Sequence, residues 1–120
     1  MTWRDVHVGW AWMVILANAL AGVWCLAAWK LPSLRTRAIW WFVIAAEVTM
    51  FVQVGLGVAA MKVENLRPKQ FHMLYGFAGL FFIALMYSYR PQLQRNVHMW
   101  YGFFSLFVMG LGIRAMLVGA

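Results

Sequence analysis

Histidine is the residue type in this chain best suited to bind a metal ion or a haem, and its three copies lie in similar surroundings. The stretch "FHMLYGF" at residues 71–77 recurs as "VHMWYGF" at residues 97–103. In "VHVGWAW", at residues 6–12, an aromatic residue again follows three positions after the histidine. Neutral imidazole is a common metal ligand, and two imidazoles can hold the iron of a b-type haem from both sides. The chemistry open to these histidines therefore depends on which of them the helices bring together.

The predicted helices place His7 and His72 at the same depth on one side of a membrane and His98 on the other side. We therefore consider His7 and His72 as haem ligands, with Gly76 leaving room for a flat ring. Small membrane anchors and di-haem proteins of the b type use such pairs, and the chain resembles them in this pair alone. The alternative is that each stretch only marks a helix end at the membrane surface, where Trp and Tyr are enriched. A bare zinc or copper ion fits less well, because two histidines leave its ligand shell incomplete.

Polar side chains also lie inside the predicted helices, where each needs a structural or functional reason. Counting about 1.5 Å per residue from the helix ends places Asn18, Glu47 and Ser105 about 12–16 Å from one face, in a layer near the membrane centre. Because a buried charge is costly, we expect Glu47 to be protonated or hydrogen-bonded to Asn18. Arg114 lies nearer the opposite surface. Either its long side chain reaches the headgroups, or it turns inward and pairs with Gln53.

The composition explains why these helices are expected to cross a membrane. Of 120 residues, 65% are hydrophobic and only 11% are charged, which is too apolar for a soluble domain. Four apolar runs of about 20 residues each are long enough to span a hydrocarbon layer of about 30 Å, and they lack the alternation of membrane β-strands. We therefore predict an all-α integral membrane protein that forms one domain, 1–120. Its four transmembrane helices are predicted at about 8–29, 38–61, 70–89 and 97–118.

Short loops containing Pro32, Pro68 and Pro91 separate the four runs. Because short loops join neighbouring helices, we predict an up-down-up-down antiparallel bundle with both termini on the same side. Loops 30–37 and 90–96 then share the other side, and they carry five basic and no acidic residues. We predict that these loops are cytoplasmic, in the plasma membrane of a bacterium. Attraction of the basic loops to anionic lipids accounts for the net charge of +7 without any role for nucleic acid.

Known enzyme signatures are absent from the sequence, which has no Ser-His-Asp constellation, phosphate-binding loop, paired carboxylates or HExxH motif. We therefore expect a non-catalytic protein. The leading hypothesis is an accessory or stabilising subunit of a larger membrane complex, which needs other membrane subunits as partners and no cofactor. The first alternative is a b-type haem or quinone-linked electron-transfer anchor that uses His7 and His72. The second is a small oligomeric transporter in which Glu47 couples transport to protons.

Overall fold

The computed structural model describes residues 2–65 and 67–119, and within these ranges the chain is almost entirely helical. In chain order its elements are α1 (Trp3–Lys30), a first 3₁₀ segment (Pro32–Leu34), α2 (Arg37–Val63), α3 (Gln70–Tyr89), a second 3₁₀ segment (Arg90–Asn96) and α4 (Val97–Gly119). The predicted all-α class is confirmed.

Three helical stretches are long and apolar enough to cross a membrane by length and composition: Trp3–Lys30, Arg37–Val63 and Gln70–Val118. The last stretch includes both α3 and α4, because the second 3₁₀ segment joins them without a break in the helical chain. The fold is therefore compatible with a membrane location. The prediction of four separate crossings remains a prediction.

The start of α1 differs from the predicted boundary. α1 begins at Trp3 rather than near residue 8, because a capping box stabilises an earlier start. The Thr2 hydroxyl accepts a hydrogen bond from the Asp5 amide at 3.1 Å, and the Asp5 carboxylate accepts one from the Thr2 amide at 3.2 Å. Two backbone donors at the helix start are satisfied in this way. The hydrophobic pattern alone did not detect this cap, and His7 consequently lies in the second turn of α1.

The end of α1 is capped by a side chain from the following loop. The Arg35 guanidinium donates hydrogen bonds of 2.7 Å to the carbonyl oxygens of Ala28 and Trp29. These carbonyls belong to the last turn of the helix and have no partner within it. A cation at this position also interacts favourably with the negative end of the helix dipole. Arg35 therefore holds the short loop against the end of α1.

α1 and α4 approach each other most closely where two glycines meet the facing helix. A Cβ atom at Gly22 would lie 2.7 Å from Cγ of Leu106, and one at Gly102 would lie 3.0 Å from the backbone nitrogen of Leu26. A side chain at either position would collide with the partner helix. Small residues allow this close packing in membranes, where apolar surfaces gain little by leaving lipid.

Two clusters of buried side chains hold the helices together. The first joins α1, α2 and the start of α4, and consists of Ala21, Cys25, Ala28, Ile39, Val43, Ala46, Val97 and Tyr101. The second joins α1, α2, α3 and α4, and consists of Val14, Met50, Ile83, Phe104 and Val108. Both clusters lie on the faces that α1 and α4 turn toward their neighbours.

α3 packs against α4 and makes little contact with α2. α3 and α4 run in opposite directions, because His72 lies beside Ala115 and Phe82 lies beside Phe107. α2 and α3 touch at few points. At one of them the terminal methyl group of Met50 packs into the space that a Cβ atom at position 79 would occupy. Beyond this contact the two helices leave space between them.

Candidate functional site

A cavity of about 570 Å³ lies at the end of the molecule where α1 begins and α2 ends. This volume is typical of cofactor and small-ligand sites. Its walls come from α1, α2, α3, α4 and the segment 67–69. On α2 and α3 it is lined by the apolar side chains of Val58 and Phe77, which are 37% and 48% exposed.

His7 and His72 both line this cavity, and each has its Nδ1 atom held by a backbone carbonyl. Nδ1 of His7 lies 3.0 Å from the carbonyl oxygen of Gln53, and Nδ1 of His72 lies 2.7 Å from that of Ala115. A carbonyl oxygen only accepts hydrogen bonds, so both Nδ1 atoms must carry the proton. In the neutral imidazoles the proton is therefore absent from Nε2, whose lone pair is available to an electron-pair acceptor.

The two imidazole rings lie close together in the cavity, in a T-shaped arrangement. Their centroids are 5.8 Å apart and their planes are inclined at 83°. The two histidines lie in helices that are far apart along the chain, and the packing of α1 and α3 against α4 brings them together. The structure therefore brings the two predicted histidines together in one cavity.

A metal ion bound at this site would need further ligands from outside the chain. Among residues 2–65 and 67–119, no three His, Cys, Asp or Glu side chains lie close enough to hold a metal ion. Haem iron brings four nitrogen ligands of its own and needs only two axial ligands from the protein.

Gly57 supports the His7 ring and was not identified as a site residue from the sequence. A Cβ atom there would lie 3.0 Å from Cε1 and 3.3 Å from Nδ1 of His7. The ring therefore lies directly over the α2 backbone, in a position that depends on the absence of a side chain. The pattern "GLGVAA" at residues 55–60 offers two glycines, and nothing in it distinguishes Gly57 from Gly55.

The predicted polar layer is only partly formed. Asn18 and Ser105 are buried, with 1% and 2% exposure. The Asn18 amide donates hydrogen bonds to the carbonyl oxygens of Val14 at 2.9 Å and Ala46 at 3.3 Å. The Asn18 amide thus donates to backbone carbonyls of α1 and α2, and the described residues show no hydrogen bond between Asn18 and Glu47. The alternative, that Glu47 is protonated, stays a prediction. Glu47 is half-buried and, within the described residues, does not line the cavity.

Gln53 and Arg114 do not form the inward pair that was considered for them. Gln53 lines the cavity, and its buried Oε1 atom has no hydrogen-bond partner among the residues that the structure describes. Arg114 is exposed, as expected for a long side chain that reaches the headgroups. Gln53 enters the site mainly through its backbone, whose carbonyl oxygen orients His7.

His98 lies at the other end of the molecule, as the topology predicted. Its ring packs against Trp40 in the first turn of α2, with centroids 4.9 Å apart. The Arg90 guanidinium lies 4.6 Å from the centre of the same indole. The sequence repeat around the histidines therefore does not create one site with three imidazoles.

Comparisons of the chain with protein-family models, with curated proteins and with solved structures found no match. The functional conclusion accordingly depends on the geometry of the cavity and its two histidines.

Proposed function

We propose that this chain is a small integral membrane protein that binds one b-type haem between His7 and His72 and serves as an electron-transfer subunit. The observation that supports the proposal best is the histidine pair. Both rings line one cavity, both have Nδ1 committed to a backbone carbonyl, and their centroids are 5.8 Å apart. Metal-binding histidines are commonly oriented by such a hydrogen bond from the second nitrogen.

The proposal includes four membrane crossings, with α3 and α4 counted separately. α3 has 20 residues and α4 has 23, and at about 1.5 Å per residue each is long enough for the roughly 30 Å thickness of the hydrocarbon layer. Their opposite directions support two crossings joined by a turn at the second 3₁₀ segment. In this arrangement the cavity lies near one membrane surface, on the side of both termini.

The protein's own contribution is to orient two lone pairs and to keep water away from them. A bound haem would supply a one-electron iron couple. The carbonyl oxygens of Gln53 and Ala115 hold the two imidazoles in the tautomer that leaves Nε2 free. Apolar walls from several helices surround the pair, and a dry environment of this kind strengthens each electrostatic interaction within it.

A membrane partner follows from the size of the aqueous segments. The described connections between the long helices are only a few residues long or 3₁₀-helical, so they offer no surface for a separate soluble redox domain. We therefore combine the accessory-subunit and haem hypotheses. In the combined proposal, the chain is a subunit of a larger membrane complex and carries a haem for it. Stable copurification with other membrane subunits after mild detergent extraction would support this. A protein that is always recovered alone would argue against it.

The absorption spectrum of the protein purified from haem-replete cells tests the haem site directly. We expect a Soret band that is lost in His7→Ala and His72→Ala and retained in His98→Ala. The loss of an axial ligand should lower haem affinity by more than the roughly 10–100-fold that accompanies loss of an outer-shell partner. A colourless wild-type protein whose apo form also fails to bind added haem would refute the proposal.

The quinone and transporter hypotheses have less support from the site. A quinone carbonyl accepts hydrogen bonds, so the two unprotonated Nε2 atoms, which are also acceptors, give it no direct partner. The transporter hypothesis depends on Glu47, which is not among the described residues that line the cavity. A haem iron would use the lone pairs of both histidines.

A further inference from the structure

One end of the cavity is lined by positively charged side chains. Arg4 from the start of α1, and Arg67 and Lys69 from the segment before α3, all line it and are exposed. Among the described residues no Asp or Glu lines the cavity. An anionic group at this end of the cavity would therefore meet three cations and no carboxylate.

The two nearest carboxylates along the chain are already committed to the start of α1. Asp5 accepts a hydrogen bond from the backbone amide of Thr2 at 3.2 Å. Glu64 accepts hydrogen bonds from the backbone amides of Trp3 and, at 3.4 Å, Arg4. Both carboxylates thus cap the helix start, where the dipole favours negative charge. The cationic side chains that line the cavity are left to interact with an anion from outside the chain.

Where the cavity borders α2 and α3, its lining includes apolar rather than charged side chains. Val58 and Phe77 lie there, and both are apolar and exposed. The cavity therefore has a cationic end and an apolar side, which together match an amphiphilic ligand that carries carboxylates at one edge.

We infer that the haem binds in one orientation, with its two propionate groups toward Arg4, Arg67 and Lys69. The apolar edge of the ring then lies toward Val58 and Phe77. This inference rests on the proposed function, because it concerns the same cavity. The three cations also favour haem over a quinone as the ligand, because a quinone carries no anionic group. Arginine and lysine bind carboxylates through charge-assisted hydrogen bonds.

Binding of iron protoporphyrin and of its uncharged dimethyl ester to the apo-protein tests the inference. The protein is placed in phosphatidylcholine nanodiscs, so that no anionic lipid competes for the cations, and the Soret band is titrated. We expect the dicarboxylate to bind about tenfold more tightly than the diester, as two partly exposed ion pairs would give. In the double variant Arg67→Gln/Lys69→Gln this preference should fall to about one- to threefold.

Arg114→Gln is the matched control, because Arg114 is an exposed cation of α4 that does not line the cavity. This variant should keep the preference of the wild type. Equal binding of the two porphyrins to the wild type, through a Soret band that still requires His7 and His72, would overturn the inference and leave the proposed function intact. Failure of both porphyrins to bind would instead refute the proposed function.

Discussion

At the scale of single residues, the site depends on which atoms the backbone leaves available. The Nδ1 atoms of His7 and His72 each donate a hydrogen bond to a carbonyl oxygen of a neighbouring helix, with nitrogen–oxygen distances of 3.0 Å and 2.7 Å. These bonds determine the tautomer, and in this tautomer Nε2 is an acceptor rather than a donor. Asn18 shows the same principle in a structural role, since its buried amide joins α1 to the Ala46 carbonyl of α2.

Gly57 should be a positioning residue for His7. An alanine Cβ at position 57 would lie 3.0 Å from Cε1 of His7, so the ring must shift and its bond to the Gln53 carbonyl must lengthen. We expect Gly57→Ala to weaken haem binding by about tenfold, within the range for loss of an outer-shell interaction. The measurement is haem titration together with the reduction potential of the bound haem.

Gly55→Ala provides the control for this substitution. It lies on the same helix, and a Cβ atom there has no other atom within 4 Å. Haem affinity and reduction potential should remain those of the wild type. If both alanine variants behave alike, Gly57 has no special role in orienting His7.

At the scale of the elements, α1 is the helix that organises the others. It packs closely against α4 at Gly22 and Gly102 and against α2 through Asn18 and Trp10, whose indole donates to the Thr49 carbonyl at 2.9 Å. α3 is held mainly by α4. Because α2 and α3 touch at few points, space remains for the cavity next to the two histidines.

The α1–α4 crossing should tolerate no side chain at Gly102. In Gly102→Ala, the new Cβ atom would lie 2.7 Å from Leu26 Cγ and 3.0 Å from its backbone nitrogen, and a backbone atom cannot turn aside as a side chain can. We expect a loss of about 1–3 kcal/mol in the free energy of unfolding, as for overpacked cores. Thermal or denaturant unfolding in detergent micelles measures this loss.

Gly110→Ala, in the same helix, serves as the comparison. No other atom lies within 4 Å of a Cβ at position 110, so this variant should be as stable as the wild type or slightly more stable. Equal stability of the Gly102 and Gly110 variants would mean that α1 and α4 are not packed as closely as described.

At the scale of the whole molecule, the apolar surface and the cavity suit a protein surrounded by lipid. Many large hydrophobic side chains are exposed on the outside of the bundle, among them Leu20, Trp41 and Phe81 at 61%, 70% and 61%. Exposed apolar surface on this scale is unfavourable in water. In lipid it is the expected outer surface.

The proposed four crossings can be tested by labelling single cysteines with a membrane-impermeant thiol reagent. In a Cys25→Ala background, Thr2→Cys and Asn65→Cys should be labelled from one side of sealed vesicles. Ser33→Cys and Gln92→Cys should be labelled from the other side, because two crossings separate the members of each pair and so return the chain to the same side. Labelling of Ser33→Cys and Gln92→Cys from opposite sides would rule out α3 and α4 as separate crossings.

The sequence by itself determined the helical class and the apolar stretches long enough to cross a membrane. Both properties depend on local composition, since a segment in lipid must satisfy its own backbone hydrogen bonds. It also indicated Asn18 and Ser105 as interior polar residues, which the structure shows to be buried. It did not indicate the early start of α1, because that start depends on a cap rather than on hydrophobicity.

Only the tertiary structure decided which polar groups meet. The hydrogen bonds of His7 and His72 run to carbonyls 46 and 43 residues away in the chain. Every residue has a backbone carbonyl, so the sequence does not indicate which one each histidine will meet. The same holds for Gly57 and Gly55, which differ only in what packs above them. Local sequence pattern sets where helices form, whereas their rotation and spacing depend on close packing between distant segments. The pairing of the imidazoles, the cavity beside them and the cations at its end are consequences of that packing.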